Sequence, residues 1–206
     1  IGYTLLSLII EKRMGMSYEN FMQRYVLNPA GCYDFHIAGN YLKDRRPNET
    51  VYYMHSSSVP VPEFNNSGRM VVRCYGENDI TTALGAGAWV ASAAELCRLV
   101  ASIDGDRTVP DVISPQAVKL MTQEMPDHQF SLGWNFTPRN HPWIRTGSLV
   151  GTSALVLRYP DGECWVFITN TSTWKGHKFS QDTMALFEKL RKRFGSKMPK
   201  RNMFIN

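Results

Sequence analysis

The residues best suited to chemistry in this 206-residue chain are consecutive: Arg145, Thr146, Gly147 and Ser148, in a β-rich run that begins at Trp143. A cation, a hydroxyl and a glycine on a strand edge suit a carboxylate or carbonyl ligand. The guanidinium offers charge-assisted hydrogen bonds, and glycine lets backbone N–H groups approach closely. Other chemistries find little support. There is no Walker A loop, no G-x-S-x-G elbow and no H-E-x-x-H pair, and Gly85-Ala86-Gly87 lacks the third glycine and preceding strand of a dinucleotide site. Cys32, Cys74, Cys97 and Cys164 include no C-x-x-C pair and no His at zinc-ligand spacing, so neither a metal site nor a cofactor is expected. Cys97, in an amphipathic helical pattern, and Cys164, in a strand-like run, read as small buried hydrophobes. His36, His55, His128, His141 and His177 are dispersed and read as surface or capping residues.

The composition that must position these groups is globular, with 43% apolar and 20% charged residues, enough for one substantial domain with a core. The longest apolar stretch, around Leu5 to Ile10, is far short of the roughly 18 residues that span a bilayer. The net charge of +5 is local: Lys189, Arg191, Lys192, Arg193, Lys197, Lys200 and Arg201 form a run without an acid, and the rest of the chain holds 16 basic against 18 acidic residues. Without an interleaved aromatic pattern of the stacking kind, that run reads as a solvated last helix rather than a nucleic-acid face. The chain opens at Ile1 with neither an initiator Met nor a leader pattern, and is expected to start inside a longer gene product.

Helical spacing of Tyr3, Leu5, Leu6, Ile9 and Ile10 predicts a helix over 2–14 that stops at Gly15, and Ser17 caps a second over Tyr18 to Leu27. From Asp34 to Asp79 prolines and Asn65-Asn66 mark an irregular excursion. Ser92 and Glu95 predict a capping box before the apolar face Leu96, Leu99, Val100 and Ile103. Ser114-Pro115 starts another helix that ends near Glu124. Strands are then predicted at Phe130 to Thr137, Trp143 to Arg145, Thr152 to Tyr159 and Cys164 to Thr169, with a turn at Pro160-Asp161-Gly162. A helix over Ser180 to Phe194 closes the chain, and the pattern is α+β with no βαβ alternation.

Five segments fall in a fixed order: Ile1-Gly2-Tyr3-Thr4-Leu5-Leu6; Ser17-Tyr18-Glu19-Asn20-Phe21 through Asn28-Pro29-Ala30-Gly31-Cys32; GAGAWVASAAEL from Gly85 to Leu96; Ser131-Leu132-Gly133-Trp134; and Arg145-Thr146-Gly147-Ser148, followed by a last hairpin from Gly151 to Asn170. In that order they resemble the serine β-lactamase, penicillin-binding protein and related esterase superfamily, outside about 38–79. The segments are similar to the helix after its Tyr-x-Asn motif, its SYxEF…PLGM and GGLxSTAxDL segments, its GLGW strand and its Lys-Thr-Gly or His-Thr-Gly triplet.

The resemblance implies an α+β fold of the β-lactamase/transpeptidase type: an antiparallel sheet covered by helices plus part of a helical subdomain. Residues 1–124 would be the helical portion with an excursion at about 34–79, and 125–206 the strands and C-terminal helix. Both would be parts of one catalytic domain truncated at its N-terminus. It also implies covalent catalysis in two steps, in which a Ser-x-x-Lys serine attacks an amide or ester carbonyl and the acyl-enzyme is hydrolysed. Carried over, Arg145 orients a substrate carboxylate, Thr146 offers its hydroxyl, Gly147 gives clearance, and the Ser148 N–H is one oxyanion donor. Arginine departs from the family's Lys or His. It cannot shuttle protons, which argues against strong β-lactam hydrolysis.

Ser-x-x-Lys and Tyr-x-Asn are expected before Ile1, so the nucleophile lies outside this chain and the chain alone is expected to be inactive. Ser172-Thr173-Trp174-Lys175 fits the first motif but follows the Thr-Gly triplet, the reverse of family order, and Tyr18-Glu19-Asn20 lies inside a later helix. The implied partners are a small-molecule or peptide substrate and the N-terminal part of the same domain, with no nucleic acid. A periplasmic, cell-envelope or secreted location follows from the resemblance alone. The alternatives are a non-catalytic relative that binds or assembles through the same cleft, and an anionic-surface binder that uses residues 189–206.

Overall fold

The computed structural model describes residues 1–123, 131–171, 173, 175–176, 178–199 and 204. Helix α1 (Gly2–Met14) ends where Gly15 takes a left-handed φ of 65° and donates its N–H to Glu11. Its Leu5, Leu6, Leu8 and Ile9 are about half exposed, and its buried residue is Ser7. Docking therefore runs through a small polar residue rather than the apolar positions that predicted the helix. Helix α2 (Tyr18–Met22), capped by Ser17, passes into a π-helical turn at Gln23–Leu27. That turn presents Leu27 to a core cluster with Ala30, Cys32 and Phe35.

The irregular stretch predicted after Asp34 contains pairs rather than long elements. Strands β1 (His36–Ile37), β2 (Val61–Pro62) and β3 (Met70–Val71), helix α3 (Ile80–Ala83) and strand β4 (Trp89–Val90) follow in order. β1 pairs with β4 and β2 with β3, both antiparallel. Side chains distant in sequence complete it. Asn40 Oδ1 accepts from the N–H groups of Ile80 and Thr81 at 2.7 and 3.2 Å, capping α3 from 40 residues away. Buried Glu63 accepts from Arg69 and Ser67 across the β2–β3 turn. His36 is not at the surface, as its isolation in sequence implied: it is buried with Nε2 3.2 Å from the Glu49 carboxylate.

Helix α4 (Ala93–Ala101) starts at Ser92, whose Oγ accepts from the Glu95 N–H at 3.1 Å. Only half of the expected capping box forms. Glu95 Oε1 instead accepts from Tyr33 and Asp34 N–H groups at 2.6 and 3.1 Å, because tertiary packing brings those donors to it. Helix α5 (Pro115–Thr122) has Ser114 as cap and proline at its first turn; the expected end near Glu124 lies outside the described residues.

Strands β5 (Trp143–Leu149), β6 (Thr152–Arg158) and β7 (Cys164–Thr169) form an antiparallel sheet in sequence order, and helix α6 (Lys178–Phe194) covers it. One face packs Leu155, Leu157 and Tyr159 against Phe187 of α6; the other packs Val156 with Val100 of α4 and Trp134. The predicted strand over 130–137 is not one in its described part. Gly133 turns the backbone at φ 82°, and the pairing with β5 is confined to Asn135 and Phe136 against Ile144. Conversely, β5 runs four residues beyond the expected Arg145 because the ladder to β6 carries on through Gly147 and Ala154. The basic run is partly folded in: Arg191 pairs with Asp161 and Glu163 and lies 4.2 Å over the Tyr159 ring. Among the described residues no helix is long and apolar enough to cross a membrane.

The two halves are tied by Arg158, whose Nε donates to Asp104 Oδ2 at 2.9 Å with both side chains at most 10% exposed. Its guanidinium also lies 5.1 Å over the Trp143 ring. Asp104→Ala would leave the buried cation only the longer 3.9 Å pairing with Asp106 and the Tyr159 carbonyl, and should lower unfolding free energy by about 2–4 kcal/mol in denaturant titration, whereas Asp182→Ala at an exposed pair should cost under about 1 kcal/mol. A second expectation concerns acid. Hydrogen bonds from Arg69 and Ser67 lower the Glu63 pKa from 4.5 to about 2. This carboxylate therefore stabilises the β2–β3 turn above pH 4.5, and protection there is lost as pH falls towards 2, a change that proteolysis or hydrogen exchange of residues 61–71 should register.

Candidate active site

The predicted residues lie on β5, the edge strand of its sheet. Pairing of Arg145 with Val156 and of Gly147 with Ala154 fixes which way each side chain faces. Arg145, Gly147 and Leu149 share the α4 side of the sheet, while Thr146 and Ser148 share the α6 side. Backbone polarity alternates too. Ile144 N–H donates outward to Phe136 O at 2.8 Å and Thr146 N–H to Asn135 Oδ1 at 2.8 Å, so the period of two sets Ser148 N–H on the same outer edge.

Each residue type has a physical consequence there. A Cβ built on Gly147 meets nothing within 4 Å, leaving open space beside the edge. Arg145 is exposed, with its guanidinium 5.6 Å from the Tyr3 ring of α1. The Thr146 hydroxyl is 3.4 Å from Asn135 Oδ1, which accepts from it as well as from the backbone. Ser148 Oγ lies 3.4 Å from Ser153 Oγ. Of these groups, the Arg145 guanidinium and the outward Ser148 N–H can hold an anion and polarise a carbonyl, whereas the Thr146 and Ser148 hydroxyls face the other side of the sheet, near Asn135 and Ser153. Among the described residues, no three His, Cys, Asp or Glu side chains gather as a metal site would require.

Two residues that the sequence did not single out hold this edge in place. Tyr3 lies under Arg145, and its hydroxyl accepts from Gly133 N–H at 3.1 Å, joining α1, the 131–134 turn and β5. Asn135 anchors Thr146. Neither had a readable signal, since Tyr3 counted as one more apolar helix position and Asn135 lay in an apparent strand.

The segment before β4 closes the helical side. Gly85 N–H donates to Ser7 Oγ at 3.0 Å, and a Cβ on Gly85 would lie 2.6 Å from that oxygen. The preceding Leu84 has φ 48° and ψ −118°, a conformation that non-glycine residues seldom hold. Gly151, at the turn between β5 and β6, sits where a Cβ would be 2.7 Å from Cys74 Cβ, which seats the hairpin on the excursion. Of the motif mimics, Tyr18 is buried beside Trp89, and Lys175 pairs with Asp182; Ser172 lies outside the described residues.

Comparison with known proteins gives this geometry a family. The family model described as Beta-lactamase matches residues 1–188. Penicillin-binding protein 4* of Bacillus subtilis (strain 168) is 27% identical over 170 residues, covering 78% of this chain and 36% of that protein. Among solved structures, D-amino acid amidase from Ochrobactrum anthropi SV3 superposes with a TM-score of 0.69 at 15% identity, over 95% of this chain and 56% of the amidase. FmtA from Staphylococcus aureus superposes with a TM-score of 0.63 at 14% identity, over 99% of this chain and 52% of FmtA. The chain thus spans about a third of the curated relative and about half of each solved one. With the fold and its segment order in agreement, the chain belongs to the beta-lactamase family of penicillin-binding-protein-like serine hydrolases.

Proposed function

We propose that this chain is the substrate-side wall of a serine hydrolase that works through an acyl-enzyme on an amide or ester. The observation that carries the reading is the outer edge of β5, where Ser148 N–H lies on the same edge as the anchored Thr146 N–H, beside the open space at Gly147 and the exposed Arg145. In this reading a serine outside the chain, in a Ser-x-x-Lys motif upstream, attacks the carbonyl. The developing oxyanion is held by Ser148 N–H and the nucleophile's own N–H. Arg145 holds a substrate carboxylate and, always protonated, moves no proton, while Gly147 lets the acyl group lie against the strand.

The segments 1–124 and 125–206 are then portions of one catalytic domain, and the chain by itself is inactive. The half-exposed Leu5, Leu6 and Ile9 of α1 support an upstream portion packing there. Relatives named as penicillin-binding proteins favour an exported or envelope location. Arginine in place of Lys or His favours a second reading, a non-catalytic relative that binds a carboxylate-bearing peptide in the same cleft.

Kinetics of the full-length protein separate the two. Arg145→Ala should lower kcat/KM for carboxylate-bearing substrates by roughly 10–100-fold, the loss of one charge-assisted hydrogen bond, and leave neutral esters within about threefold. Gly147→Val should lower turnover of both classes, because its side chain fills the open space. Binding of a carboxylate peptide that depends on Arg145, with no turnover of any amide or ester, would select the second reading.

A further inference from the structure

Four thiols are present, and two of them are neighbours. Cys97 lies in the middle of α4 and Cys164 begins β7; the two elements pack together on the sheet face that also carries Arg145 and Gly147. Cys97 Sγ is 3.9 Å from the Cys164 carbonyl oxygen, across 67 positions of sequence, and both side chains are half-buried. We propose that Cys97 and Cys164 form a reversible disulfide, with a small-molecule disulfide such as glutathione disulfide as oxidant, that fastens α4 to β7 beside the candidate site.

Electrostatics give the two thiols different roles. Cys97 Sγ points at the Cys164 backbone carbonyl, and the neighbouring Cys164 thiol lowers the pKa of Cys97, whereas the Cys97 neighbour, burial and the nearby Asp104 charge raise that of Cys164. Cys97 is therefore the attacking thiolate and Cys164 the thiol that follows. Its sulfur forms a bond to one glutathione sulfur, the glutathione S–S bond breaks, and one glutathione leaves as thiolate. Capping Cys97 removes the first cause of the raised Cys164 pKa. The released thiolate takes the Cys164 proton, Cys164 attacks the Cys97 sulfur, and the second glutathione departs. Two protein thiols lose two electrons and two protons, which end on two glutathione thiols. Cys32, fully buried, has its thiol pushed up to about 11, and burial also raises that of Cys74, so neither competes.

The test is to incubate the full-length protein with glutathione disulfide, alkylate the remaining thiols, and map peptides without reduction. The expected product is about 2 Da lighter, carries a Cys97–Cys164 linked peptide, melts roughly 5 °C higher, and reverts with dithiothreitol. Cys164→Ser should stop at a glutathione adduct on Cys97, and Cys97→Ser should give neither adduct nor link at these two positions. A link involving Cys32 or Cys74, or free alkylation of both Cys97 and Cys164 after the oxidant, would overturn the proposal.

Discussion

The architecture depends on one close approach: the backbone at Gly85 lies against Ser7 of α1 at a distance that leaves no room for a Cβ. Ser7 Oγ accepts the Gly85 N–H while its own hydroxyl donates to Tyr3 O, so a buried polar residue is satisfied on both sides. The consequence reaches the sheet. With α1 fixed by Gly85, Tyr3 lies under Arg145 and receives Gly133 N–H, and three segments distant in sequence meet at the edge of β5. A side chain at 85 would displace the Ser7 hydroxyl that joins Gly85 to α1 and crowd the Tyr3 carbonyl, 3.2 Å from where its Cβ would lie.

The sheet works because its two faces do different work. The α6 face is apolar where Leu155, Leu157 and Phe187 meet and anchor the strands, and turns polar at Thr146, Ser148 and Ser153. The opposite face is mixed, with Trp143, Val156 and Val166 packed under α4 but Arg158 ion-paired to Asp104 and Arg145 reaching solvent. Buried charge on that face is tolerated because Arg158 has two carboxylates, a carbonyl and an aromatic ring as partners. The outer edge of β5 is guarded by Asn135 and Phe136 over its first half, so open N–H groups are confined to the end near Ser148.

Local chemistry was legible in the sequence. Gly15, Ser17, Ser92 and Ser114-Pro115 each specify a helix boundary through hydrogen bonds or backbone preference within a few residues, and the helices form there. The Tyr159 to Glu163 turn is likewise set by Gly162 at φ 92°. Contacts between remote segments were not legible. Glu95 leaves its own capping box for Tyr33 and Asp34, His36 finds Glu49, and Tyr3 finds Gly133, choices that local periodicity does not encode. The candidate site was half readable for the same reason. Arg145 to Ser148 stand together in sequence, while Asn135 and Tyr3, which hold them, become visible only once the chain is folded.

The most direct measurement is active-site labelling of the full-length gene product with a fluorophosphonate or penicillin probe, followed by intact mass and peptide mapping. A single adduct is expected on a serine outside residues 1–206, within a Ser-x-x-Lys sequence. An adduct on a serine of this chain, Ser172 included, or no adduct on a folded protein that turns over no ester or amide, would contradict it.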